Sequence, residues 1–194
     1  MGFFKRNMRL ISQLFINQIG MTIFGIVLTM AVNMAAKGNS VFLLGVSLFA
    51  VIFYLALIYN VMWEAGAKDI IRIEKGKMEN VPFYALRVSF FAAVPNLVLA
   101  FLMLIGFLLG YVLDLSFGVL FYGIFRIVTP LLQAMYSGAF SVILGTIADP
   151  FTEYLVSVLL YIFSSLPMML VSMGAYELGK RNLYLFGKKA GAKS

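Results

Sequence analysis

Several stretches of this sequence stay apolar for longer than the roughly 18–20 residues that a helix needs to cross a bilayer. That property decides the fold class. The chain has 194 residues, of which 62% are hydrophobic and only 12% charged. Soluble domains are about 45–50% apolar and carry roughly twice that charged share. The runs are continuous, without the alternation in ~10-residue segments that marks a membrane β-barrel. The expected class is all-α: a polytopic integral membrane helical bundle forming a single transmembrane domain over 1–194.

The net charge of +7 would suggest nucleic acid in a soluble protein. Here it follows the rule that cationic residues gather at cytoplasmic span ends, so no nucleic-acid partner is expected. There is no cysteine and no histidine, which removes disulfides, thiol nucleophiles and the usual zinc sites. The start, MGFFKRNMRLISQLFINQIGMT, does not read as a cleavable signal peptide. Ser12, Gln13, Asn17 and Gln18 interrupt its apolar region. Arg6 stands where a myristoylation motif needs Ser or Thr. Phe4, Met8, Ile11 and Phe15 recur at helical spacing opposite Lys5, Arg9 and Gln13. This predicts an interfacial amphipathic start over 1–12 that runs into the first span.

The first span covers 13–36. The second covers 40–63, with Asn39 or Ser40 as its cap. It continues as a cytoplasmic helix to about residue 75, where Gly76 after Lys75 is a stop signal; Glu64 and Lys68 make an i,i+4 pair along it. The charged segment 64–82 is the one long loop or helix outside the spans. Asn80 and Pro82 then open a new helix. Further on, Asp149 is placed as an N-cap with Pro150 at the first helical position. A last span covers 152–178, and a basic cytoplasmic tail covers 179–194.

Cationic residues fix the span count. They cluster at Lys5, Arg6 and Arg9; at Lys68, Arg72, Lys75, Lys77 and Arg87; and at Lys180, Arg181, Lys188, Lys189 and Lys193. All three groups belong in the cytoplasm, so an even number of spans separates the second from the third. A single helix over 115–148 would give an odd number and would be about 50 Å long, too long for a ~30 Å core. Splitting the region gives six transmembrane helices with both termini cytoplasmic: 86–108 is span three, 111–128 span four, 131–148 span five and 152–178 span six. Arg126 becomes a cytoplasmic interface anchor, and with Pro130 it marks a tight turn. Asp149 and Glu153 fall outside. The rival topology has four spans plus a re-entrant hairpin at 115–148, and it obeys the same charge rule.

No motif implies catalysis. The acidic residues other than Asp114 fall at span ends or in loops. No nucleophile elbow, P-loop or zinc-protease signature is present. No catalytic residue, metal or cofactor is therefore expected, and the chain reads as a non-enzyme. One candidate midplane ligand or packing site stands out. Pro95 and Asn96 lie near the middle of span three, and Ser164, Ser165 and Pro167 near the middle of span six. Proline frees the carbonyl one turn back, at Phe91 and Phe163, and transporters use such broken helices at mid-depth. Gln133 joins the set as an intramembrane polar residue. Asn33, Asn60, Gln133 and Ser137 are expected to hydrogen-bond between helices. Gly106 and Gly110, like Ala31 and Ala35, are small-xxx-small pairs suited to close helix packing. Trp63, Tyr84, Tyr154 and Tyr176 are placed near span ends.

These readings favour a small non-enzymatic membrane protein of the plasma or inner membrane. It would be an accessory or scaffold subunit whose partners are the lipid bilayer and another membrane protein or a second copy of itself. The alternative is a transport component. Six spans, both termini inside, about 190 residues and Ala31-x-x-x-Ala35 are similar to the substrate-binding components of energy-coupling-factor vitamin transporters. That resemblance implies a ligand pocket near Asn96, Ser164 and Gln133. A third reading is an anionic-lipid-binding protein using Arg6, Arg9, Arg72, Lys180 and Arg181.

Overall fold

The structure is a computed structural model that describes residues 3–35 and 39–183. Of the basic tail, everything from residue 184 on lies outside the described residues, as does the side chain of Arg6. Among the described residues there are helices and no strands. The order is α1 (Phe3–Ala35), α2 (Ser40–Glu74), α3 (Tyr84–Phe107) ending in a π-turn (Leu108–Val112), α4 (Ser116–Leu132), a 3₁₀ turn (Ala134–Tyr136), α5 (Ser137–Leu144), α6 (Pro150–Phe163) and α7 (Ser165–Lys180). The amphipathic start and the first span are one unbroken helix.

Local signals set most boundaries. Asn39 Oδ1 accepts from the Val41 amide at 2.9 Å, satisfying one of the free N–H groups at the start of α2. Gly76 ends α2 at φ +66°. Its amide returns to Ile73 O at 2.9 Å and that of Lys77 to Arg72 O at 2.8 Å, which is the Schellman arrangement that favours glycine. Asp149 caps α6 through the Thr152 amide, with Pro150 in the first turn.

Each long helix buries one stripe. On α1 it is Asn7, Ile11, Leu14, Gln18, Met21, Thr22 and Gly25, and on α2 it is Ser47, Ala50, Tyr54, Ile58, Met62, Gly66 and Asp69. This is the three-and-four spacing of one helix face. The other faces stay apolar although exposed, with Phe42, Phe49, Ile52 and Phe53 outward on α2. Such a surface suits acyl chains rather than water.

By length and composition, four helices can cross a membrane: Asn7–Ala35, Ser40–Glu74, Tyr84–Val112 and Pro150–Lys180. A fifth candidate is the pair Ser116–Leu132 and Ala134–Leu144, bent by 86°. Where the charge argument calls for six spans, 111–128 and 131–148 do not form two straight crossings. Leu108–Val112 belongs to the end of α3, the chain turns at 113–115, and both Arg126 and Pro130 lie inside α4. The break comes later, at Gln133. With 8 residues, α5 is about 12 Å long, well short of a ~30 Å core.

The chain divides into two compact units. The first comprises the described residues of Met1–Phe15, Leu55–Ala92 and Leu166–Ser194; the second comprises those of Ile16–Tyr54 and Ala93–Ser165. In the first, Gly66 on α2 faces the Tyr176 carbonyl and Gly179 on α7 faces the Trp63 carbonyl. The two helix backbones touch directly, which only glycine allows. In the second, Gly110 and Gly118 bring the end of α3 against the start of α4. Asp114 makes the intervening turn at φ +54°, a region that Asp tolerates better than most residues.

Contacts within the second unit trace the path of α4 and α5. Going along α4, Gly118 meets Gly110, Tyr122 meets Gly106, and Thr129 Oγ1 donates to Leu99 O at 3.4 Å. So α4 runs back along α3. After the break the direction reverses. Leu132 O is bonded by Thr22, and Ser137 meets Thr29 at 3.3 Å. Along α2, Met135 O accepts from Ser47 at 2.8 Å and Gly138 packs on Leu43. The segment therefore goes down α3 and returns toward the C-terminal end of α1 and the N-terminal end of α2.

Candidate functional site

The tip of this hairpin is where the polar side chains of the second unit converge. Pro130 has no N–H to donate to Arg126 O, and α4 ends two residues later. The Leu132 carbonyl then lacks a partner within its helix. Thr22 Oγ1 donates to it at 2.7 Å and Gln18 Nε2 at 3.4 Å. Gln18 Nε2 also donates to Asn96 Oδ1 at 2.7 Å. These two residues come from α1 and α3, both buried.

A second helix joint meets the first. Pro167 cannot donate to Phe163 O, and the α6–α7 joint falls at Ser164. Ser164 Oγ lies between Gln133 Oε1 and the Tyr161 carbonyl at 2.8 Å. The result is a cluster of amides and hydroxyls: Gln18, Thr22, Asn96, Thr129, Gln133, Ser164 and Ser165, all buried. None of them titrates. Among the described residues, Gln18 Oε1, Gln133 Nε2 and Ser165 Oγ have no hydrogen-bond partner. A buried polar atom left unpaired costs about 1–3 kcal/mol, so the site offers one free acceptor, one free donor and one free hydroxyl.

Of the residues singled out in the sequence, Asn96, Gln133, Ser164 and Ser165 all lie in this unit. Pro95 is half-buried in α3 and does not interrupt it. Pro167 belongs to the first unit; its effect is on the helix joint. Ser137 bonds between helices as expected, while Asn33 and Asn60 are exposed. Sequence reasoning did not include Gln18, Thr22 and Thr129. The readable signal was the position of Gln18 and Thr22 at i,i+4 on the stripe that α1 buries.

Arg126 is corrected most. The turn expected at 126–130 is absent, because both residues are helical. Arg126 Nη2 bonds Glu153 Oε1 at 2.8 Å, and its guanidinium sits 4.7 Å from the Tyr154 ring centre. Charge placement puts Arg126 on the cytoplasmic surface and Glu153 on the other. A direct ion pair cannot hold both assignments. Tyr154 in turn contacts Tyr111 at 4.8 Å and Tyr122 at 5.4 Å, so the pair is set in an aromatic collar at the start of α6.

Among the described residues no group of three His, Cys, Asp or Glu side chains could hold a metal ion. No protein-family model, curated protein or solved structure matches this chain.

Proposed function

We propose that this protein is the membrane component of a transporter for a small uncharged polar solute. It is a non-enzyme with four spans (α1, α2, α3 and α6–α7), and α4–α5 forms a re-entrant hairpin. Both termini and the 64–82 segment face the cytoplasm of a plasma or inner membrane, consistent with the positive-inside rule. The 113–149 region then opens on the far side, and the Arg126–Glu153 pair goes with it. One observation carries the reading: two helix breaks, at Gln133 and at Ser164, are hydrogen-bonded to each other inside a buried neutral cluster. Non-helical backbone at membrane depth occurs where it is buried in protein or lines a passage, and discontinuous helices form substrate sites in transporters. With no charge in the cluster, an ionic solute would find no counter-charge. With four spans in place of six, the similarity to energy-coupling-factor substrate-binding components loses its topological basis.

The test is solute entry into proteoliposomes, followed by osmotic swelling. Urea, glycerol or a small amide should enter several-fold faster than into protein-free vesicles, and a charged solute of equal size should not. Gln133→Leu should return the rate to background. Entry at the protein-free rate for every solute would overturn the proposal.

A second reading, an accessory or scaffold subunit, has one observation in its favour. Ala31 and Ala35 are exposed, so this small-xxx-small pair is open to another helix. Cysteines at these positions should cross-link copies or a partner in native membranes; a strictly monomeric protein counts against it.

A further inference from the structure

The first unit holds a different polar site. Asp69, near the end of α2, is only 5% exposed. Its Oδ2 accepts from Tyr176 Oη at 3.2 Å and its Oδ1 from Arg72 Nη1 at 3.2 Å. Tyr84 Oη donates to Asn7 Oδ1 at 2.7 Å, and the Tyr84 and Tyr176 ring centres are 5.2 Å apart. Side chains from α1, α2, α3 and α7 thus share one floor. A cleft of about 590 Å³ opens on it, lined by Asn7, Asp69, Arg72, Lys77, Glu79 and Tyr84 among others. A second cleft of about 410 Å³ shares Asn7, Asp69, Arg72 and Tyr84 and adds Arg9 and Lys68. Both volumes lie in the range of small-molecule sites.

Two facts define the ligand. The larger cleft has two cations, Arg72 and Lys77, and two carboxylates, Asp69 and Glu79. It is neutral overall but offers both signs. It also lies where candidate spans begin, at Asn7 and Tyr84, and where others end, at Glu74 and Lys180. That is the depth of lipid head groups. We infer that this cleft binds the phosphoethanolamine head group of a membrane lipid. Its phosphate meets Arg72 and Lys77, and its primary ammonium donates to Asp69 and Glu79. A carboxylate has about four acceptor positions, so Asp69 can take an ammonium beside Tyr176 and Arg72. A head group with negative charge alone meets repulsion from Asp69 and Glu79. A quaternary ammonium has no N–H to donate. The inference is independent of the transport reading.

The single tryptophan, Trp63, lies on α2 and supplies the readout. Its distance along the helix from Asp69 is about 9 Å. The protein is placed in vesicles in which phosphatidylethanolamine, phosphatidylcholine or phosphatidylglycerol in turn has brominated chains, which quench nearby tryptophan. At equal mole fraction, the brominated ethanolamine lipid should quench Trp63 about twofold more than either other lipid. Asp69→Asn and Lys77→Gln should each abolish the preference. Lys77 is exposed in a loop, so that variant tests binding even if Asp69→Asn fails to fold. Equal quenching by all three lipids, stronger quenching by the glycerol lipid, or a preference that survives Lys77→Gln would overturn the inference. Soluble glycerophosphoethanolamine separates the two sources of this chemistry. Loss of the preference shows that the head group alone suffices, and its persistence assigns the site to the lipid-borne group.

Discussion

The two units bury polar groups in contrasting ways. The first holds a carboxylate, two tyrosines and an asparagine beneath open clefts rimmed by charge. The second holds only amides and hydroxyls, closed in and partly unpartnered. Charge is tolerable where water and head groups can reach it, and it is costly where acyl chains surround the protein. An amide or hydroxyl is the strongest polar group that mid-depth admits without a counter-charge. Under the two proposals, ionic recognition falls to the first unit and neutral recognition to the second.

The hardest test of this division is to force apart one backbone contact in each unit. A methyl at Gly118 would strike the Gly110 backbone, and one at Gly66 would strike the Tyr176 carbonyl. Gly118→Ala and Gly66→Ala should each cost about 3 kcal/mol, the upper part of the usual overpacking range. Hydrogen exchange should rise along α4 and α5 in the first variant and along the C-terminal part of α7 in the second. Exchange that rises everywhere in both would show that the units do not unfold separately.

A smaller effect separates paired from unpaired polar atoms. Ser164→Ala leaves Gln133 Oε1 without its hydroxyl, at about 1–3 kcal/mol. Adding Gln133→Met removes that acceptor together with the unpartnered Nε2. The double variant should therefore recover most of the loss, because replacing both partners by apolar groups is nearly neutral. Thermal melting in detergent reads both. A double variant worse than Ser164→Ala would mean that the amide does more for the fold than pair with Ser164.

What the sequence disclosed follows the same line between local and distant causes. The continuation of α2 to Glu74, the stop at Gly76, and the Asp149–Pro150 start are written within a few residues, and each is found as expected. Asn96 stands out in the sequence as a polar residue beside a proline, and Gln133 and Ser164 as polar residues within apolar runs, each three positions from a proline. The path of 111–148 was not legible. Two short crossings and one hairpin satisfy the same charge rule, and the bend at Gln133 depends on distant partners: glycine contacts with α3 and α1 side chains that reach Leu132 O. Gln18 and Thr22 were missed for the same reason: their partner is a carbonyl exposed only once α4 has ended. Arg126 misled because the cation was counted without Glu153, which is 27 residues away.

Arg126 itself should matter little for stability. Its side chain is 42% exposed and that of Glu153 is 30% exposed, and ion pairs this open contribute roughly 0.2–1 kcal/mol. Arg126→Gln should lower stability by no more than about 1 kcal/mol, the Tyr154 contact included. The loss should shrink further in high salt. A larger, salt-insensitive loss would mean that the pair is shielded from water, so that the second unit carries charge away from its water-facing rim.

The smallest expected effect concerns acid. The cluster at the tip of α4 has no titrating group, so any pH response of the second unit must come from its rim. Asp149 is the clearest case. The Thr152 hydroxyl at 2.5 Å and the Thr152 amide at 2.8 Å hold its carboxyl below the usual carboxylate range. A folded-state value below the unfolded one means that the unfolded chain binds the proton more readily. The stabilisation is therefore fully present above the ordinary carboxylate value of about 3.9 and fades as pH falls below it. Asp149→Asn keeps a capping side chain but loses this response. Its melting temperature should lie slightly below that of the parent near pH 6, and the gap should close toward about pH 3. A gap that did not narrow on acidification would show that the cap bonds from Thr152 do not depend on the charge of Asp149.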